Sequence, residues 1–240
     1  MAETNTQRDS SQALGRVLSK VGVRSYRKVL SHRDSFALFR SLDSEIFQLS
    51  NGDSTSLAVV SAQPKEGRTT IALLLATHAA ALDPEKKVLF IDGHLGQPRA
   101  SSLLGVPTDR PGLHHYMDRS AELEAVIHPG PLDNLWVLPG SAPPGAPLHF
   151  GHDRMVDLMD ATAKRYDLIV VDTPSARQGK DFASLAKVVR NVILVVQYRG
   201  PNREQVRMMM SDLDRVNARV LGAVMNHRIY PAPRFFYAIG

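Results

Sequence analysis

From Ser56 onward, apolar runs without polar alternation recur along the chain, separated by segments with helical spacing. SLAVVSA (56–62), KVLFID (87–92), NLWVLP (134–139), DLIVVD (167–172), NVILVVQ (191–197) and VLGAVMN (220–226) each read as a strand. Strands this uniformly rich in Val, Ile and Leu are buried on both faces, as in a parallel sheet sandwiched between helices. TTIALLLATHAAAL (69–82) reads as a strongly apolar helix, and further helices are expected near 153–165, 181–187 and 202–216. Pro/Gly clusters at 129–131 and 139–147 read as loops. There is no internal repeat. The pattern predicts an α/β fold in three layers, a mostly parallel central sheet flanked by helices.

Upstream, FALFRSLDSEIFQL (36–49) repeats Phe36, Phe39, Leu42, Ile46 and Leu49 at helical period and reads as an amphipathic helix leading into the domain. Residues 13–30 place Leu14, Val17, Leu18, Val21, Val29 and Leu30 at roughly helical spacing among basic residues. Such a segment either is a solvated arm or lies on an anionic membrane surface or a partner. The expected organisation is therefore a basic arm over 1–35, a folded α/β domain over 36–228 and a tail over 229–240.

Charge sharpens this division. The net +5 of the 240 residues resides in residues 1–33, which hold seven Lys/Arg against Glu3 and Asp9; 22 residues of each sign remain elsewhere. A basic tail on a neutral body argues against a folded surface built for specific nucleic acid. The absence of cysteine excludes disulfides and thiolate metal sites. The N-terminus has no apolar core of a secretory signal, and no run approaches the roughly 20 apolar residues of a membrane span. A cytoplasmic protein is expected, peripheral at the inner face of the cell membrane if the arm binds there.

The segment Ser61–Thr70 carries the candidate chemistry. Strand, then S-A-Q-P-K-E-G-R-T-T, then helix is the context in which a phosphate loop works: backbone N–H groups wrap phosphates and the helix N-terminus adds its dipole. The backbone of Lys65, Glu66, Gly67, Arg68, Thr69 and Thr70 is the expected cradle for ATP or ADP. Gly67 permits close approach, and the Thr69 hydroxyl suits Mg²⁺. Ala62 stands where the motif has its first glycine and Arg68 where it has lysine. Asp92 and Asp172 close two strands; at the C-terminal edge of an open α/β sheet both can face a bound Mg²⁺–phosphate, with Thr69 as third ligand.

Three runs, IDGHLGQPRASSLLGVPTDRPGL, YDLIVVDTPSA and ALFRSLDSEI, together resemble bacterial tyrosine kinases (BY-kinases), relatives of the MinD/ParA ATPases. The resemblance spans about residues 36–228. It implies Asp92 as first acid of the second Walker motif, with His94 in place of the second acid and Gly96 in place of an arginine. It implies Asp172 as the Walker B acid, so that Asp92 and Asp172 are the catalytic candidates. It also implies Asn226 as an adenine contact. A ring-assembly pattern is reduced to Ala37, Arg40 and Asp43, and a tyrosine-rich tail to Tyr230 and Tyr237. Lysine is a compact charge that fits beneath β/γ-phosphates whereas guanidinium is planar and bulky, so Arg68 is not a conservative replacement.

The function so implied is a kinase-like, catalytically degenerate partner in capsule or exopolysaccharide synthesis and export, working with a membrane-anchored chain-length regulator, binding nucleotide weakly or not at all and acting mainly through protein contacts. An active tyrosine autokinase and a MinD/ParA-like positioning ATPase, either with homo-oligomer formation, stay open as alternatives. His114, His115, His149 and His152 lie in loop-like sequence and lack a carboxylate or Cys in register for a metal. Met208–Met210 reads as core filling, and Phe235, Phe236 and Tyr237 as an apolar tip that packs on a neighbour or back on the domain.

Overall fold

A computed structural model describes residues 54–95, 100–107, 109–142, 151–179, 181–200 and 203–227. The arm, the 36–49 helix with Ala37, Arg40 and Asp43, Gly96, His149, and the tail with Tyr230, Phe235, Phe236 and Tyr237 lie outside the described residues.

In chain order the strands are β1 (Thr55–Ser61), β2 (Val88–Asp92), β3 (His128–Pro129), β4 (Leu135–Leu138), β5 (Leu168–Asp172), β6 (Asn191–Gln197) and β7 (Arg219–Asn226). The helices are α1 (Arg68–Leu82), α2 (Ala100–Leu103), α3 (Leu113–Met117), α4 (Leu123–Val126), α5 (His152–Ala163), α6 (Asp181–Val189) and α7 (Arg203–Arg215), with a 3₁₀ turn at Ala176–Gln178. The sheet runs β3-β4-β2-β5-β1-β6-β7. All pairings are parallel except β3 with β4.

Unbroken apolar runs become strands because two separate cores need them. Leu57, Val59, Phe90, Val170 and Ile193 face the core under α1, while Ala58, Val60, Leu89, Ile169 and Val192 face the one shared with α5, α6 and α7. Helix α1 is apolar around its circumference, with eleven of its residues buried from Arg68 to Ala80, as expected of a helix enclosed on all sides. Two of its three buried polar residues bond to the preceding turn: Thr77 Oγ1 donates to Leu73 O (2.7 Å) and His78 Nδ1 to Leu74 O (2.9 Å).

The structure corrects the sequence reading at three places. The loop expected at 129–131 begins inside β3, whose two residues pair with Trp136 and Val137. The Met208–Met210 run is not uniformly core: Met209 is 1% exposed but Met208 is 61% exposed, since consecutive helical positions point 100° apart. His114 and His115 sit in α3 rather than in a loop; His114 is buried with Nε2 3.6 Å from Asp118 Oδ2, and His115 Nδ1 accepts from Gly112 N–H. His152 opens α5 on the surface.

This strand order positions the site. β5 inserts between β1 and β2, so the C-terminal ends of all three strands meet, and Asp92 is the register partner of Asp172. The loop after β1 therefore lies over two acids contributed from far along the chain.

Candidate functional site: a phosphate loop closed from within

The loop between β1 and α1 winds through left-handed backbone at Lys65 (φ 67) and Gly67 (φ 92), the latter capping α1. A Cβ on Gly67 would run into the side-chain amide of Asn226, so glycine is required there on both counts. Asn226 Nδ2 donates to Glu66 O (2.9 Å). The residue that the resemblance assigns to adenine thus braces the loop by its amide. Glu66, 1% exposed, is a second brace: its Oε2 accepts from Gln63 N–H (2.7 Å) and its Oε1 from Gln197 N–H (3.1 Å), tying the loop to the end of β6. A further side-chain pair joins Gln63 to Gln205 of α7.

Arg68 is the decisive residue. It is 6% exposed and points inward. Its Nε donates to Asp172 Oδ1 (3.0 Å) and its NH1 to Ser61 Oγ (3.0 Å), while Ser61 Oγ donates onward to Gln63 O (2.9 Å). Thr69 Oγ1 donates to Asp172 Oδ2 (2.6 Å). Both oxygens of the Walker B-like acid are thereby engaged, one by a fixed cation and one by the hydroxyl expected to ligate metal. A buried carboxylate needs such a partner, and a buried guanidinium needs the carboxylate.

Asp92 is fully buried beside Asp172. Its Oδ1 accepts from His94 N–H (3.2 Å) and its Oδ2 from Ser101 Oγ (3.3 Å). Burial, with the Asp172 charge second, pushes its carboxyl up to about 7. Gly93 passes so close to β5 that a Cβ would lie 2.6 Å from Asp172 O, and its own N–H donates to that carbonyl at 2.8 Å. The His94 ring meets Gln178: Gln178 Nε2 lies 3.0 Å from its Nε2, and Gln178 Oε1 accepts from Ser175 N–H and Oγ.

Lys65, Gly67, Arg68, Thr69, Thr70 and His227 line a cleft of about 290 Å³ above the loop. The structure therefore brings together Lys65, Glu66, Gly67, Arg68, Thr69, Thr70, Asp92, Asp172 and Asn226. Only Lys65, Gly67, Arg68, Thr69 and Thr70 of these line the cleft. The proposed Mg²⁺ donors do not fit the ion as they stand. Magnesium demands oxygens at about 2.0–2.1 Å in octahedral array. Here each Asp172 oxygen already accepts a hydrogen bond, from Arg68 and from Thr69, Asp92 is held toward its protonated form, and among the described residues no group of three or more His, Cys, Asp or Glu could hold a metal. Sequence reasoning missed Ser61, Gln178 and the bracing roles of Glu66 and Asn226. Ser61 alone left a signal, as a polar residue closing an apolar run.

The sequence matches no protein-family model. It is 29% identical over 181 residues to the tyrosine-protein kinase Etk of Escherichia coli strain K12, covering 75% of this chain and 24% of Etk. The chain thus spans about a quarter of the length of that relative. CapB of Staphylococcus aureus is 27% identical over 191 residues, 78% of this chain and 82% of CapB. The kinase domain of Etk superposes with a TM-score of 0.72 at 27% identity, over 81% of this chain and 76% of that one. The septum site-determining protein MinD of Pyrococcus horikoshii OT3, solved with Mg-ADP, superposes at 0.61 and 23% identity over 74% of each chain, a likeness of fold alone.

Proposed function

We propose that this chain, whose homologues are bacterial tyrosine-protein kinases and whose fold is that of P-loop ATPases, is a kinase-like protein of capsule or exopolysaccharide assembly in which phosphoryl transfer has been lost. It binds adenine nucleotide at the loop after β1 and acts through protein contacts, with a membrane-anchored chain-length regulator as partner. Among the described residues no helix is long and apolar enough to cross a membrane, so membrane placement in this reading falls to the partner and to the basic residues 1–33.

The observation that carries the reading is the Arg68–Asp172 pair. Phosphoryl transfer is catalysed almost wholly by positioning and charge: a cation at the β/γ-phosphates, metal ions bridging them, and an acid that orients the acceptor. Arg68 removes the first by facing inward and the second by occupying Asp172. His94, bound to Gln178, supplies no carboxylate where the resemblance has an acid. What remains is a cradle. The loop backbone binds, α1 offers its N-terminus with no acidic residue in the first turn, and Glu66 and Asn226 keep the loop in shape.

The test compares ATP turnover and tyrosine phosphorylation of four chains at equal concentration: natural, Arg68→Lys, His94→Asp, and the double variant. Parts of one catalytic unit contribute non-additively, so turnover is expected only in the double variant. Robust turnover by the natural chain, abolished by Asp172→Ala, would establish an active autokinase instead.

A further inference from the structure

We infer that the cleft takes the phosphate chain of a nucleoside diphosphate without a divalent cation, with Lys65 as the phosphate-facing charge and Arg68 standing where the metal would act. The inference rests on the nucleotide reading above and goes beyond it by assigning the two cations separate tasks.

Charge placement supports the division. Arg68 lines the floor of the cleft but directs Nε to Asp172 and NH1 to Ser61. Together with Thr69 it satisfies the carboxylate that would otherwise need a metal, making the floor electrically neutral on its own. For Mg²⁺ to enter, the guanidinium would have to leave Asp172, stranding a nearly buried cation; breaking such a pair is strongly unfavourable.

Lys65 is placed the opposite way. It is exposed, lines the same cleft with Gly67, Thr69, Thr70 and His227, and forms no ion pair among the described residues. Its ammonium is a compact charge on a flexible stem, the form of cation that follows a phosphate rather than fixing its plane. The cleft thus has an internally neutral floor and a mobile positive rim, beside a helix N-terminus with no acid in its first turn. That arrangement accepts an anion whose charge has not been offset by metal.

Calorimetry of the full chain with ADP, once in EDTA and once in excess Mg²⁺, tests this. Affinities within about threefold of each other are expected, with Lys65→Ala weakening ADP by about tenfold or more in both buffers, the loss of one charge-assisted contact. Arg68→Lys, which retains charge but frees one face of Asp172, should make binding favour Mg²⁺. Tightening of ADP on the natural chain by more than about tenfold on adding Mg²⁺ would overturn the inference while leaving the nucleotide reading intact, and so would unchanged affinity in Lys65→Ala. No saturable binding in either buffer would overturn both.

Discussion

Replacing Asp92 with Asn should stabilise the protein above neutral pH and flatten its pH profile. The side chain is 0% exposed and its carboxyl is raised from 3.8 to about 7, first by burial and then by the Asp172 charge. Between those two values the folded state holds a proton that the unfolded chain has released. The resulting stability is complete below 3.8 and is lost as pH rises through about 7. At 1.36 kcal/mol per pH unit the whole window corresponds to about 4 kcal/mol, and the part between about pH 5 and pH 8 to about 2.5 kcal/mol. Asparagine removes the charge and keeps the contacts: Oδ1 accepts from His94 N–H, and Nδ2 donates to Ser101 Oγ, whose proton is free to reorient. Urea unfolding of both proteins at the two ends of that range measures the difference. The natural chain should lose about 2–3 kcal/mol relative to the variant on going from the lower to the higher pH. Parallel profiles would show that Asp92 ionises as easily in the fold as outside it, and would refute the reasoning.

Three further substitutions follow from the same geometry. Gly67→Ala adds a Cβ against Asn226 at φ 92 and should abolish ADP binding in calorimetry while lowering the melting temperature. Arg68→Met leaves Asp172 buried without its cation and should cost about 3–5 kcal/mol in chemical denaturation. Glu66→Ala strips the acceptors from two backbone donors and should cost about 2 kcal/mol or more, with faster hydrogen exchange confined to the Gln63 and Gln197 amides.

The framework was legible because its physics is local. A strand buried on both faces must be apolar at every position, and 167–172 and 191–197 announce that within a few residues. β3 was not legible, since two residues carry no period and its pairing is decided by Trp136 and Val137 across the sheet edge. Helices α2, α3 and α4 span four or five residues each, too few for a 3.6 repeat to show. The candidate site divides in the same way. Gly67, Thr69 and the two strand-end acids can be found by motif and context. The direction in which Arg68 points cannot, because it depends on β5 lying beside β1 and bringing Asp172 to the foot of the loop. The resemblance assigns Asn226 to adenine; its amide bond to Glu66 emerges only once β7 ends against the loop.

The most direct measurement is a crystal structure of the natural chain grown with ADP and excess Mg²⁺. The expected result is a guanidinium of Arg68 still on Asp172 and Ser61, Lys65 extended to the β-phosphate, and no magnesium between Thr69 and Asp172. An Arg68 side chain swung onto the phosphates, with Mg²⁺ held by Thr69 and Asp172, would contradict the account and restore the machinery of an active kinase.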